Sequence, residues 1–265
     1  MLFDFDTYNI LSALIVSFAI QAFFFVFAAA FKTDKVTDLS YSLSFAILAV
    51  LLVLANRTFA PIQLLAAACV VVWAARLGGY LLARILKIGK DARFDDKRGD
   101  FVKFLAFWVL QALAVWAIML PVTVLLSLPS AAPLGAVSLA GAVIWLVGFA
   151  IEAAADAQKY AFRNDPANAG RWIQSGLWKF SRHPNYFGEV VLWWGLFILA
   201  LPAFGAPLLF TLVGPVFITL LLLRVSGVPL LEKSADEKYG KDPGYQAYKR
   251  LTSVFVLLPR RKEGP

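Results

Sequence analysis

Residues 181–189 read Ser-Arg-His-Pro-Asn-Tyr-Phe-Gly-Glu and contain His183, the single histidine of the chain. Guanidinium, imidazole, amide, phenol and carboxylate groups stand together where a polar segment runs into an apolar one. Such groups are costly at a membrane boundary, and their presence points to a polar ligand held there. Upstream, Glu152, Asp156 and Lys159 are spaced i, i+4 and i+7 and share one helix face. Tyr160 and Arg163 follow, then a turn at Asn164-Asp165-Pro166. Arg171, Lys179 and Arg182 alternate with Trp172, Trp178 and Phe180. Arginine offers a fork matched to phosphate oxygens, and an aromatic ring offers a face to a flat base. Pro184 suits the first turn of the next helix, whose free N–H groups, with Asn185, would face an anion. The same pattern also reads as a cytoplasmic loop whose charges follow topology and whose aromatics form an interfacial belt. Glu189 argues against that reading, because it sits about a turn inside an apolar helix, where a carboxylate is expensive.

The N-terminal half carries a second, sparser set. Asp38, Ser40 and Tyr41 open an apolar run, after Lys32 and Lys35. Asp38 is either a helix cap or an acid at the mouth of a cavity. Arg76 lies within an apolar span and needs an acidic partner or an anionic ligand, with Asp38 a candidate partner. Trp73, Arg76 and Tyr80 share a helix face. Gln111, two turns into the next span, is an interhelical hydrogen bond or a substrate contact, and Gln21 is a weaker case. The mixed-sign run through Lys87, Lys90, Asp91, Arg93, Asp95, Asp96, Lys97 and Arg98 reads as a solvated loop, although its cations could close over a phosphate.

The elements that must position these groups are membrane helices. The chain is 60% hydrophobic and only 16% charged, with mean hydropathy +0.73. That is far from a soluble domain, where about a quarter of residues are charged. A helix needs roughly 20 apolar residues to cross the hydrocarbon layer. Seven runs qualify, at about 10–31, 40–55, 60–83, 103–127, 133–155, 187–202 and 204–224. With seven spans, every Lys and Arg except Arg57 and Arg76 falls on one side. The positive-inside rule then puts the N-terminus outside and the C-terminus in the cytoplasm. The long polar connections lie on that cytoplasmic side, which is where water-soluble ligands belong. The first run reads as a retained helix rather than a cleaved signal. The net charge of +8 is thereby used on topology and anionic ligands rather than on nucleic acid. Cys69 alone excludes a disulfide framework and a cysteine metal site, and a single histidine excludes a histidine-rich one. No repeat and no separate soluble domain is visible. The chain reads as one all-α polytopic domain over 1–265, with substrate-side helices in 1–130 and a cofactor-binding region in 131–265.

Gly176-Leu177-Trp178, then the 181–189 motif, then Trp193-Trp194-Gly195, resemble the C-terminal half of the steroid 5α-reductase family, and most of all its bacterial branch. The resemblance takes in Glu152, Asp156 and Arg163 upstream and Leu231-Glu232-Lys233 and Tyr245 to Arg250 downstream. It implies a seven-helix membrane fold that binds NADPH from the cytoplasmic side, in a bacterial inner membrane. Asp156, Arg163 and Arg171 would serve the adenosine phosphates and pyrophosphate. Asn185, Glu189 and Trp193 would lie nearer the nicotinamide. Arg224, Tyr245 and Lys249 would close the site, with Glu152, Arg182, His183 and Tyr186 completing it. Glu152 stands where mammalian steroid reductases have asparagine, and Trp73 stands near the family's catalytic tyrosine. Asp38 lies near the family's glutamate, and Tyr41 or Tyr80 would substitute for the tyrosine. Arg76 and Gln111 are the candidate substrate contacts.

The expectation is a multi-pass NADPH-dependent reductase of a lipid-soluble enone drawn from the membrane lipids. Membrane isoprenylcysteine-type methyltransferases carry a similar Arg-His-Pro-x-Tyr element. An S-adenosylmethionine-dependent methyltransferase is therefore the second reading, and a non-enzymatic lipid-binding or scaffolding protein the third.

Overall fold

Among the described residues of the computed structural model, seven helical segments are long and apolar enough to cross a membrane. The structure describes residues 3, 5–57, 59–91, 94–129 and 133–261; Arg93 and Lys262 lie outside them. The α-helices are α1 (Ile10–Ala30), α2 (Thr37–Asn56), α3 (Pro61–Ile88), α4 (Phe101–Ser127), α5 (Ala136–Asn164), α6 (Pro184–Ala200), α7 (Val213–Leu220), α8 (Val228–Tyr239) and α9 (Pro243–Leu251); α1 to α5 are the first five spans, α6 lies in the sixth, Pro184–Ala203, and α7 in the seventh, within the helical run Leu208–Tyr239. Among the described residues there is no strand, only an isolated bridge between Ser181 and Ser253.

Expected and observed boundaries differ where a span continues into water. α3 runs on to Ile88 and α5 to Asn164, because hydropathy marks where lipid ends and not where backbone hydrogen bonding ends. The last span is not one α-helix. It begins as a 3-10 segment at Ala206–Leu212 and ends as a π-turn at Leu221–Val225, whose i+5 hydrogen bond runs from Ser226 N to Leu221 O at 2.9 Å.

The chain divides into two units, Met1–Gly141 with Leu196–Phe217, and Ala142–Gly195 with Ile218–Pro265. In the first, α2 packs on α3, and α1 and α2 pack on α4. α4 is the most enclosed span. At one end of this unit, Gln63 donates to the carbonyls of Leu125 and Leu128, both at 2.9 Å, satisfying oxygens that the end of α4 leaves free. At the other end, Asp34 accepts from Arg98 at 2.7 Å and from the Asp91 N–H at 2.6 Å, while Arg84 donates to Asp91 at 2.7 Å and Asp38 at 3.4 Å. The 87–98 run is thus not simply a solvated loop: Phe94 is buried and Asp91 and Arg98 are tied down. Asp38 lies in the first turn of α2, where a negative charge favours the helix N-terminus, while Val36 holds the cap position.

In the second unit, α5 and α6 approach backbone to backbone. A Cβ on Gly148 would stand 2.5 Å from Leu192 N, and one on Gly188 would stand 2.6 Å from both Glu152 N and Gly148 O. Glycine at both positions is what lets the helices close, as small residues do in membrane interfaces. After α9 the chain turns back along the loop before α6. Arg182 N donates to Ser253 O at 2.9 Å and Leu258 N to Phe180 O at 3.1 Å.

Candidate functional site

The 181–189 motif is built as its residue types demand. Gly176 adopts φ +57, a conformation that L side chains rarely take, and a Cβ there would collide with Gln158. Gln158 Oε1 in turn accepts from Leu177 N at 2.9 Å. A 3-10 turn over Gly176–Lys179 follows, and α6 starts at Pro184, as a missing N–H and a fixed φ at the first helical position favour. Upstream, Asp165 caps the turn at Pro166–Asn168 by accepting from Ala167 N at 2.9 Å.

Arg182 and His183 are both buried, and both point at Glu232 of α8. Arg182 Nη2 donates to Glu232 Oε2 at 2.8 Å and Nε to Oε1 at 3.2 Å, while its Nη1 donates to the carbonyl of Lys249. His183 Nε2 lies 2.7 Å from Glu232 Oε1. Lys249 pairs with Asp236 at 2.6 Å and approaches Glu232 at 3.8 Å. Tyr245 donates to Asp236 at 3.4 Å. The expected cofactor cations therefore spend their charge on protein carboxylates, Lys249 on the exposed Asp236 and Arg182 on Glu232 in a largely buried pair. Removing one partner of such a buried pair costs about 3–5 kcal/mol. Burial holds the His183 imidazole below its ordinary pKa against the opposing pull of Glu232. Burial, with the Glu232 and Asp236 carboxylates, pushes the Tyr245 phenol up to about 12, so it stays a donor.

The second pair joins α5 and α6. Asn185 Nδ2 donates to Asp156 Oδ1 at 3.2 Å. Asp156, Glu152 and Glu189 are all buried. Two atoms of the motif, Asn185 Oδ1 and His183 Nδ1, are buried with no hydrogen-bond partner among the described residues. Tyr186 stacks on the His183 ring at 5.9 Å. Trp193 is buried in α6.

The cations expected to meet phosphate divide differently. Arg163, Arg171 and Arg224 are exposed. Lys159 sits over the Trp178 ring at 4.6 Å. Trp178 is itself buried, donating to Ala155 O at 3.1 Å, so it is not a platform for a base. Trp172 packs against Tyr239 and Tyr245 at 5.7 and 5.4 Å. A groove of about 730 Å³ opens on the tail side of Arg182, walled by Lys249, Thr252, Phe255 and Arg261. Asn185 and Asp156 do not line it.

In the first unit, Tyr41 packs edge-on against Phe45, and Phe45 against the buried Trp73, at 5.0 and 5.1 Å. Tyr41, Arg76 and Tyr80 are half-buried. The Asp38 carboxylate reaches Arg84, one helix turn and more beyond Tyr80. Gln111 gives its amide N–H groups to Gln21 Oε1 at 2.8 Å, Ser40 Oγ at 3.1 Å and Thr37 O at 3.2 Å, which is an interhelical hydrogen-bond seam.

Glu232, which the sequence resemblance takes in without a role, is the acid on which Arg182 and His183 converge. Its signal was present: Glu232 and Asp236 are spaced i, i+4 on a polar helix facing two cationic neighbours.

The chain is similar to the Delta(14)-sterol reductase of Ascobolus immersus, 32% identical over 123 residues, 41% of this chain and 27% of that protein. The match thus spans about a quarter of that relative's length. No solved structure matches significantly. A family model described as a protein of unknown function, DUF1295, matches residues 24–252, and the chain, an all-helical protein with seven membrane-length helices, belongs to that family.

Proposed function

We propose that this protein is a multi-pass membrane reductase acting on a sterol-like lipid, with NADPH as the cofactor. The observation that carries it is the motif at the start of α6, with buried acceptors at His183 Nδ1 and Asn185 Oδ1, in a chain similar to a sterol reductase. The residues fit a dinucleotide. Exposed arginine forks at Arg163 and Arg171 suit phosphates, and the unpartnered buried acceptors suit the donor groups of a base or carboxamide.

Asp156, Arg163 and Arg171 would hold the adenosine and phosphate end. Asn185, Glu189 and Trp193 would hold the nicotinamide end. Arg182, Lys249 and Tyr245 would act mainly by fixing the α8–α9 wall through Glu232 and Asp236, with Glu152, His183, Tyr186 and Arg224 around them. When bound, the cofactor supplies a hydride to a carbon–carbon double bond conjugated to a ketone. Tyr41, Tyr80 or Asp38 would hold a proton near the ketone oxygen, and Arg76 would contact the substrate. The helices of 1–130 form the substrate side of this reading and 131–265 the cofactor side. The N-terminus lies outside and the basic face in the cytoplasm, in a bacterial inner membrane, where the reduced dinucleotide is available. The chain's own work is to orient the two partners and stabilise charge on the oxygen.

Thermal denaturation of detergent-purified protein with NADPH, NADH or S-adenosylmethionine tests this. NADPH alone should raise the Tm. Selective stabilisation by S-adenosylmethionine would replace the reductase with the methyltransferase, and no shift with any ligand would remove both. Asn185→Ala should weaken the NADPH effect clearly, while Gln21→Ala should leave it intact.

A further inference from the structure

Two carboxylates decide what the 181–185 turn can offer. A carboxylate only accepts hydrogen bonds. Asp156 therefore orients the Asn185 amide with its NH2 inward, at 3.2 Å, and turns Oδ1 away. Glu232, at 2.7 Å from His183 Nε2, requires the proton on that nitrogen and leaves Nδ1 bare if the ring is neutral. The charged groups facing the ring are Glu232 from α8, Arg182 beside it and Lys159 from α5; burial and the two cations oppose an imidazolium. Both bare atoms are buried and without a hydrogen-bond partner among the described residues, and His183 as a whole is 5% exposed. The turn thus presents two buried acceptors whose lone pairs are unmet. A phosphate or carboxylate would meet lone pairs there.

We propose that His183 Nδ1 and Asn185 Oδ1 form an acceptor site for a hydrogen-bond donor group, an amide, amine or hydroxyl, and that Glu232 is the positioning residue that fixes it by holding His183 in the Nε2–H tautomer. The two unmet acceptors follow from the hydrogen bonds of Glu232 and Asp156, and the source of the donor rests on the proposed function. A reductase would bring the primary carboxamide of its nicotinamide, and a methyltransferase the ammonium of S-adenosylmethionine.

Because the chain has a single histidine, ¹⁵N-histidine labelling of the detergent-solubilised protein reads this one ring. The free protein should show a pyridine-type Nδ1 and a pyrrole-type Nε2 at neutral pH, persisting below pH 6.5, the ordinary imidazole pKa. Glu232→Gln, which can offer an N–H as well as an oxygen, should admit the other tautomer while keeping the shape of the side chain. Saturating NADPH should move Nδ1 towards the pyrrole-type position, as an accepted hydrogen bond does. The 3-acetylpyridine analogue of NADPH has the same phosphates but no carboxamide N–H. It should leave Nδ1 in place and bind about tenfold more weakly, the loss of roughly one hydrogen bond. A shift with S-adenosylmethionine and not with NADPH keeps the site and removes the reductase. An imidazolium or an Nδ1–H tautomer in the free protein overturns the proposal. So does an Nδ1 resonance unmoved by NADPH and S-adenosylmethionine alike, which would leave a resident water as the only partner.

Discussion

At Gly188 a methyl group would stand 2.6 Å from two backbone atoms of α5, Glu152 N and Gly148 O. Backbone cannot swing aside as a side-chain tip can, so the helices must separate. Overpacking typically costs about 1–3 kcal/mol and occasionally more, and Gly188→Ala is expected at or above the top of that range. Gly79, inside α3, has nothing within 4 Å of its added Cβ, and Gly79→Ala should be neutral or stabilising by about 0.5–1 kcal/mol. Thermal denaturation of the two variants side by side checks this; equal Tm values would refute the close approach of α5 and α6. Single residues of this kind were half legible in the sequence. The types within 181–189 announced a polar site, because such groups are expensive beside lipid. Their partners were not announced. Arg182 and His183 read as ligands for an anion, yet both are spent on Glu232, 50 and 49 positions away. Which acid meets which base depends on how α8 folds back, and neither spacing nor hydropathy encodes that.

The α1–α2–α4 contact shows the same division for elements. Long apolar runs fix that these helices exist. Their register is set by a polar seam, in which Gln21 donates to Ser44 Oγ at 2.8 Å and Gln111 donates to Gln21 and Ser40. All four side chains are buried, and in hydrocarbon an unmet amide has no water to fall back on. Interhelical hydrogen bonds in membranes average about 0.6 kcal/mol, up to about 1.7. Gln111 makes three, so Gln111→Leu should destabilise by about 1–3 kcal/mol, read as a lower unfolding midpoint in mixed micelles. It should do so without changing the NADPH dependence of the Tm, because Gln21 and its partners lie in the first unit and the cofactor candidates in the second. A variant of unchanged midpoint but weakened NADPH response would return Gln111 to the ligand-binding set. The seam was visible as two glutamines in apolar runs, but their pairing across 90 residues came only from the packing.

For the molecule as a whole, charge asymmetry carries the argument that helix count alone cannot. Seven membrane-length helices put the two termini on opposite sides if all seven cross. Of the basic residues in the connections, Arg57 is alone on its side, and the rule that orients membrane proteins acts on that bias. A reporter active only in the cytoplasm should therefore be active when fused after Arg261 and silent when fused ahead of α1, and a periplasmic reporter should show the reverse. Adding three lysines beside Arg57, in the α2–α3 connection, should weaken this bias and produce mixed orientation. The opposite pattern in the unmodified chain would put the motif at α6 on the side where no reduced dinucleotide is supplied. The reductase reading would then fail for want of a cofactor, whatever the local geometry of His183 and Asn185.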